Sequence, residues 1–118
     1  MIMNREIQSI FKGFTVNGKQ IPVSYMVYKG NETTYITYME TDKSNSFSAD
    51  NEIQGYITFY DFDVYSKGNY LAVVTAVKKL MKENGWTWQP SRDSPDMYEN
   101  DTGFYHKTLC FAIEREVE

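Results

Sequence analysis

The sequence predicts an α+β domain: a mostly antiparallel sheet with one long helix, about 69–84, and a short N-terminal helix packed on it. Three observations carry this expectation. Four stretches, 21–28, 33–40, 55–65 and 104–113, are rich in aromatic and β-branched residues and alternate with period two, the signature of strands. The early strands are joined by short turns, which antiparallel pairing allows and parallel pairing does not. Two further stretches carry apolar residues at helical spacing instead.

Taken in chain order, Met3, Ile7, Ile10 and Phe11 share one face of a helix over 3–12, and Gly13 stops it. Asn17-Gly18 is a hairpin turn signal, because both residues tolerate positive φ. Ile21, Val23, Tyr25 and Val27 then alternate along a strand in which Pro22, lacking an N–H, belongs at the start or on an edge. "KGNE" at 29–32 reads as a turn, with 33–40 as the strand returning from it. The polar stretch "TDKSNSFSADNEIQ", 41–54, has no period and reads as a mobile loop that orders on assembly.

In the next strand, 55–65, Tyr56, Thr58, Tyr60, Phe62 and Val64 face one way and Ile57, Phe59, Asp61, Asp63 and Tyr65 the other. The helix over 69–84 has an apolar stripe of Tyr70, Val73, Val74, Val77, Leu80 and Met81. Asn69 or Ser66 can cap its start, and Gly85 ends it. Lys78, Lys79 and Lys82 lie near its C-terminal end, where cations suit the helix dipole. "WTW", 86–88, reads as a short strand. A second polar loop, 89–101, sets Asp93, Asp96, Glu99 and Asp101 against Arg92 before the last strand begins at Phe104.

The 118 residues suit a single domain, 1–118, and a composition 42% hydrophobic and 24% charged is that of a globular chain. A net charge of −4 disfavours a general nucleic-acid binder, whose affinity rests on neutralising phosphates. No stretch approaches the ~20 apolar residues that span a bilayer. "MIMNREIQSIFKG" lacks the basic start, apolar run and cleavage site of a secretory signal. The single cysteine, Cys110, cannot form an internal disulfide and sits in an apolar strand, so a buried structural thiol made in a reducing, intracellular setting is expected. Ten tyrosines, seven phenylalanines and two tryptophans suit a sheet with one buried face and one face touching a partner, and suit a plain half-buried sheet nearly as well.

Several residues invite a chemical reading. Asp101-Thr102-Gly103 spells the active-site triplet of aspartic proteases. In those enzymes, however, the triplet ends an apolar strand, and here Met97-Tyr98-Glu99-Asn100 precedes it; Asp and Gly are also what a turn before a strand demands. His106 is the only histidine, which leaves no metal site of the usual Cys/His spacing. His106 and Cys110 share a strand face but would stand ~13 Å apart at ~3.3 Å per residue, too far for a dyad. Asp61 and Asp63 could hold a cation but better mark a solvated or interfacial side. Lys78, Lys79 and Lys82 could touch nucleic acid, and Trp86 with Trp88 could form a sugar or base platform. A solvated helix face for the lysines and a core or subunit interface for the tryptophans are the better readings. With no phosphate loop, nucleophile elbow or zinc spacing, no catalytic, cofactor-binding or metal residue is assigned.

The succession of segments is more telling than any one motif. Asp63-Val64-Tyr65-Ser66-Lys67 precedes the main helix, Gly85-Trp86 ends it, and Asp101 to Lys107, "DTGFYHK", opens the last strand. In order and spacing, over roughly residues 20–116, the chain resembles the small tail-completion or tail-terminator proteins of long-tailed bacteriophages and prophages of Gram-positive bacteria. The resemblance implies an α+β structural protein of the virion tail, made in the host cytoplasm and neither enzyme nor cofactor binder. It implies a ring homo-oligomer, typically of six subunits, that caps the tail tube and takes part in head–tail joining. Its partners would be the tail tube protein and the head–tail connector proteins, with no membrane and no sequence-specific nucleic acid. Two alternatives remain: another phage connector or tube protein, and a small monomeric binding module.

Overall fold

The computed structural model of the chain describes residues 2–49 and 52–116. Helix α1 (Ile2–Ile10) is followed by a small hairpin of β1 (Thr15–Val16) and β2 (Lys19–Gln20), then β3 (Val23–Tyr25), β4 (Thr34–Ala49) and β5 (Glu52–Ser66). Helix α2 (Tyr70–Glu83) leads to β6 (Thr87–Trp88), a 3-10 turn (Pro90–Arg92), β7 (Met97–Glu99) and β8 (Phe104–Glu116). The main sheet runs β3-β4-β5-β8-β6, with β7 also on β8. The fold is α+β, its sheet mostly antiparallel with two helices on one face.

That face is the core. Strand alternation turns Ile36 and Tyr38, Tyr60, Phe62 and Val64, and Leu109, Phe111 and Ile113 toward the helices, and all are buried. From α1 come Ile7 and Phe11, with the Phe11 ring 5.7 Å from that of Phe62. The predicted stripe of α2 supplies buried Val73, Val74, Val77 and Met81. Asn69 caps the helix, its side-chain oxygen accepting from the Ala72 N–H at 3.2 Å. At 14 residues α2 is two residues shorter than the expected 69–84. The Asn17-Gly18 turn forms as read, with φ of 52° and 80° between paired Val16 and Lys19.

Two expectations are corrected. The segment 41–54 is no loop among the described residues: β4 and β5 continue as a hairpin, pairing Asp42 with Phe59, Lys43 with Thr58, Ser44 with Ile57 and Asn45 with Tyr56. Residues 50 and 51 lie outside the described residues. A strand of 16 residues is about 54 Å long at ~3.4 Å per residue, whereas 14 residues of helix make about 21 Å. The hairpin therefore outruns the helices as an arm, and 41–45 are exposed. Backbone pairing makes this strand, and because its own side chains are exposed the sequence carries no apolar period.

The second correction concerns β3, which pairs with β4 in parallel, Val23 opposite Ile36 and Tyr25 opposite Tyr38, instead of as a hairpin. The Met26 N–H donates to the Tyr38 carbonyl at 2.9 Å, and the Val27 N–H to that of Tyr25 at 2.8 Å. This closes a tight turn about Met26, held at φ 66°, which throws the chain out of the strand. Residues 26–33 then run back to the start of β4. Parallel neighbours ordinarily need a longer crossover; three paired residues are few enough for eight to return.

Candidate functional site

Lys78 and Lys82 stand four residues apart on α2 and therefore on one face. Gly85, at φ 86°, reverses the chain so that Trp86-Thr87-Trp88 runs back beside them. The two lysines, Trp86, Thr87, Trp88 and Phe111 line a cleft of about 310 Å³. Trp86 is the buried wall, 3% exposed, with its ring edge-on to Tyr60 at 5.7 Å. Trp88 is the open wall, 40% exposed. The Lys78 ammonium lies 3.8 Å from the centre of the Trp88 ring, a cation–π contact, while the Trp88 indole N–H donates to Asp93 Oδ2 at 2.8 Å. Among the described residues no carboxylate pairs with Lys78 or Lys82, and the buried Trp86 indole N–H has no hydrogen-bond partner. The cleft is thus largely apolar, bordered by two uncompensated positive charges. The lysines and the tryptophans are each visible in the sequence as separate features; the structure brings them together.

The sheet face away from the helices gathers the other candidates. Asp61 and Asp63 lie there beside Cys110 and Thr108, their register partners on β8. Asp63 Oδ1 is 3.3 Å from His106 Nε2 and accepts a hydrogen bond from the Thr108 hydroxyl. Rings stack across the strands in a row, Tyr28 on Tyr35 at 4.5 Å, Tyr35 on Tyr65 at 4.8 Å and Tyr65 on His106 at 4.2 Å. Burial raises the Asp61 carboxyl above its usual range, opposed by a hydrogen bond from Cys110. Burial, with the Asp61 charge behind it, pushes the Cys110 thiol up to about 12, so it is a protonated structural thiol at neutral pH. His106 and Cys110 each meet an aspartate, not one another. Among the described residues no three His, Cys, Asp or Glu side chains gather into a metal-holding group.

The DTG triplet is a turn between β7 and β8. Asp101 is exposed, Gly103 sits at φ 78° with its N–H donating to the Glu99 carbonyl at 2.8 Å, and the Thr102 hydroxyl donates to Glu99 Oε1 at 3.0 Å. The preceding segment is tied down more firmly than a polar loop should be. Asp93 Oδ1 accepts from the Cys110 N–H at 2.9 Å, and Ser94 bonds both ways with Thr108, its hydroxyl accepting from that N–H and its own N–H donating to that carbonyl. Side chains thereby stand in for a neighbouring strand along β8. Arg92 lies 3.8 Å over the Phe59 ring and 3.4 Å from Asp42 Oδ2, and Asp96 pairs with Lys107 at 3.2 Å. Sequence reasoning missed Asp93 in this role; its one local signal was an Asp-Ser pair ahead of Pro95, a pattern equally common in free turns. Among the described residues no helix is long and apolar enough to cross a membrane. No family model matches the chain, and no curated protein matches its sequence.

Proposed function

We propose that the chain is a structural protein of a long-tailed phage or prophage, capping the tail tube as a homo-oligomeric ring, typically a hexamer, and taking part in head–tail joining. The observation that carries this reading from the structure is the β4–β5 arm. The strand pair outruns the helices, its side chains at 41–45 are exposed, and among the described residues no strand lies on the outer edge of β4 beyond Tyr38. Contact with another chain is the use that justifies building it. A ring also needs two different surfaces on each protomer, meeting head to tail. The arm supplies one and the aromatic, acidic sheet face around Tyr35, Tyr65 and Asp63 offers the other. The tube and connector proteins are the partners of this reading, and no residue is given a catalytic role in it.

The arm gives the test. Phage carrying a deletion of 43–52 should yield tails of uncontrolled length or tails that fail to join heads, seen by negative-stain microscopy. Normal virions from that deletion would rule out the arm as the assembly element. Light scattering on the purified protein adds a second reading: a species near six times 13.8 kDa supports a closed ring. A small binding module is the alternative that the Lys78–Trp88 cleft favours, and it would stay monomeric both alone and with purified tail tubes.

A further inference from the structure

We infer that the cleft between α2 and β6 is a docking site for an acidic segment of a protein partner, taking a carboxylate together with an adjacent apolar side chain. The inference stands apart from the ring reading and needs none of it. Like charges four apart on a helix repel and cost the helix stability. Lys78 and Lys82 are such a pair, and among the described residues no anion is set between them. Trp86, Trp88 and Phe111 wall the same cleft, so a group entering it meets both aromatic rings and the two lysines. A carboxylate between the two lysines relieves their repulsion with charge-assisted hydrogen bonds. Lys78 can stay on the Trp88 ring while doing so, since its remaining N–H groups are not committed. The volume, about 310 Å³, is that of one or two side chains rather than of a large cofactor.

The surroundings favour a protein segment over a nucleic acid. Asp93 holds the edge of Trp88, so a chain of phosphates extending from the cleft past that ring meets an acid. An isolated carboxylate meets only the lysines. β6 is also the end strand of the sheet, with no strand on its outer side among the described residues, which leaves room for an extended peptide to run past Trp88.

Trp86 and Trp88 are the only tryptophans in the chain, so tryptophan fluorescence, excited selectively over that of the ten tyrosines, reports on this cleft. The intact protein is titrated with a capped tetrapeptide that places phenylalanine beside glutamate, with its glutamine counterpart and with a short single-stranded DNA. The expected result is a saturable fluorescence change with the glutamate peptide, weakened about tenfold by Lys82→Gln and by Lys78→Gln, the loss expected for one charge-assisted contact. Added salt should weaken it as well. Lys82 is exposed and Lys78 half-buried, and unchanged circular dichroism shows that the variants remain folded. Equal binding of the two peptides, binding indifferent to both substitutions, no binding up to millimolar peptide, or tighter binding of the DNA in the same cleft each overturns the proposal.

Discussion

Replacing Asp93 with alanine should destabilise the protein by about 2–4 kcal/mol, a large effect for a residue in a polar connecting segment. The magnitude follows from its two contacts. Oδ1 accepts from the Cys110 backbone N–H, and Cys110 is only 1% exposed. Losing that acceptor leaves a buried donor unpaired, which costs ~1–3 kcal/mol. Oδ2 accepts from the Trp88 indole N–H, and because Trp88 is 40% exposed, water replaces much of this bond, leaving a loss of ~0.5–1 kcal/mol. Asp93→Asn keeps one carbonyl acceptor and should lose roughly 1 kcal/mol. Urea titration followed by far-ultraviolet circular dichroism measures both variants. With a urea m-value of ~1–3 kcal/mol per molar, the alanine variant should move the midpoint down by about 1 M or more. A shift in the alanine variant equivalent to less than ~0.5 kcal/mol, the range of ordinary surface changes, would refute the claim that Asp93 substitutes for a strand partner on β8. So would an asparagine variant as damaged as the alanine one.

Stability should also fall at high pH. The Cys110 thiol is raised from 9.0 to about 12 and the Tyr60 hydroxyl from 10.0 to about 12, both chiefly by burial. The unfolded chain ionises first, so it binds fewer protons than the folded one across the window from about 9 to 12. Stability is full below that window and is lost through it, which urea midpoints at a series of pH values will show. In the same folded state Cys110 should resist a thiol reagent at neutral pH and react on unfolding; fast labelling of the native protein would contradict its burial. At the β7–β8 turn, Gly103→Ala forces a side chain onto φ 78° and should cost ~1 kcal/mol or more, whereas Asp101→Asn should leave the stability measured by urea titration within ~0.5 kcal/mol of the original.

What the sequence disclosed and what it hid follow from the range of the interactions concerned. The stripe of α2, its Asn69 cap and the Asn17-Gly18 turn are local, written within a few residues, and the structure has them where the spacing puts them. The arm was missed because an alternating apolar pattern marks a strand only where one face meets a core; along Thr41 to Asn45 backbone pairing with β5 makes the strand instead. The parallel β3 was missed because its short connection looks like a hairpin until Met26 is known to turn at positive φ. Asp93 was read as loop charge because its partner, Cys110, lies seventeen residues away. The cleft shows the same limit: Lys78 and Lys82 belong to α2, Trp86 and Trp88 to the segment that follows it, and only the reversal at Gly85 sets them face to face.

The arm has a consequence for how the chain acquires its structure. β4 and β5 are neighbours in sequence, so their pairing closes only a short loop, whereas β8 must be brought to β5 across some forty intervening residues that include α2. Loop-closure entropy therefore favours the hairpin as the earliest element and makes docking of β8 the slow step. Until β8 arrives, the β5 edge of this long ribbon and the β4 edge beyond Tyr38 are open to any other nascent chain, the usual route to aggregation. The arm carries the safeguards against that fate: Asp42, Lys43, Ser44 and Asn45 offer no sticky surface, and register irregularities between Glu40 and Asp42 and between Asn45 and Phe47 spoil the flat edge that a second ribbon would need. The polar composition that disguised this segment as a loop is what lets so long a hairpin wait, unaccompanied, for the rest of its sheet.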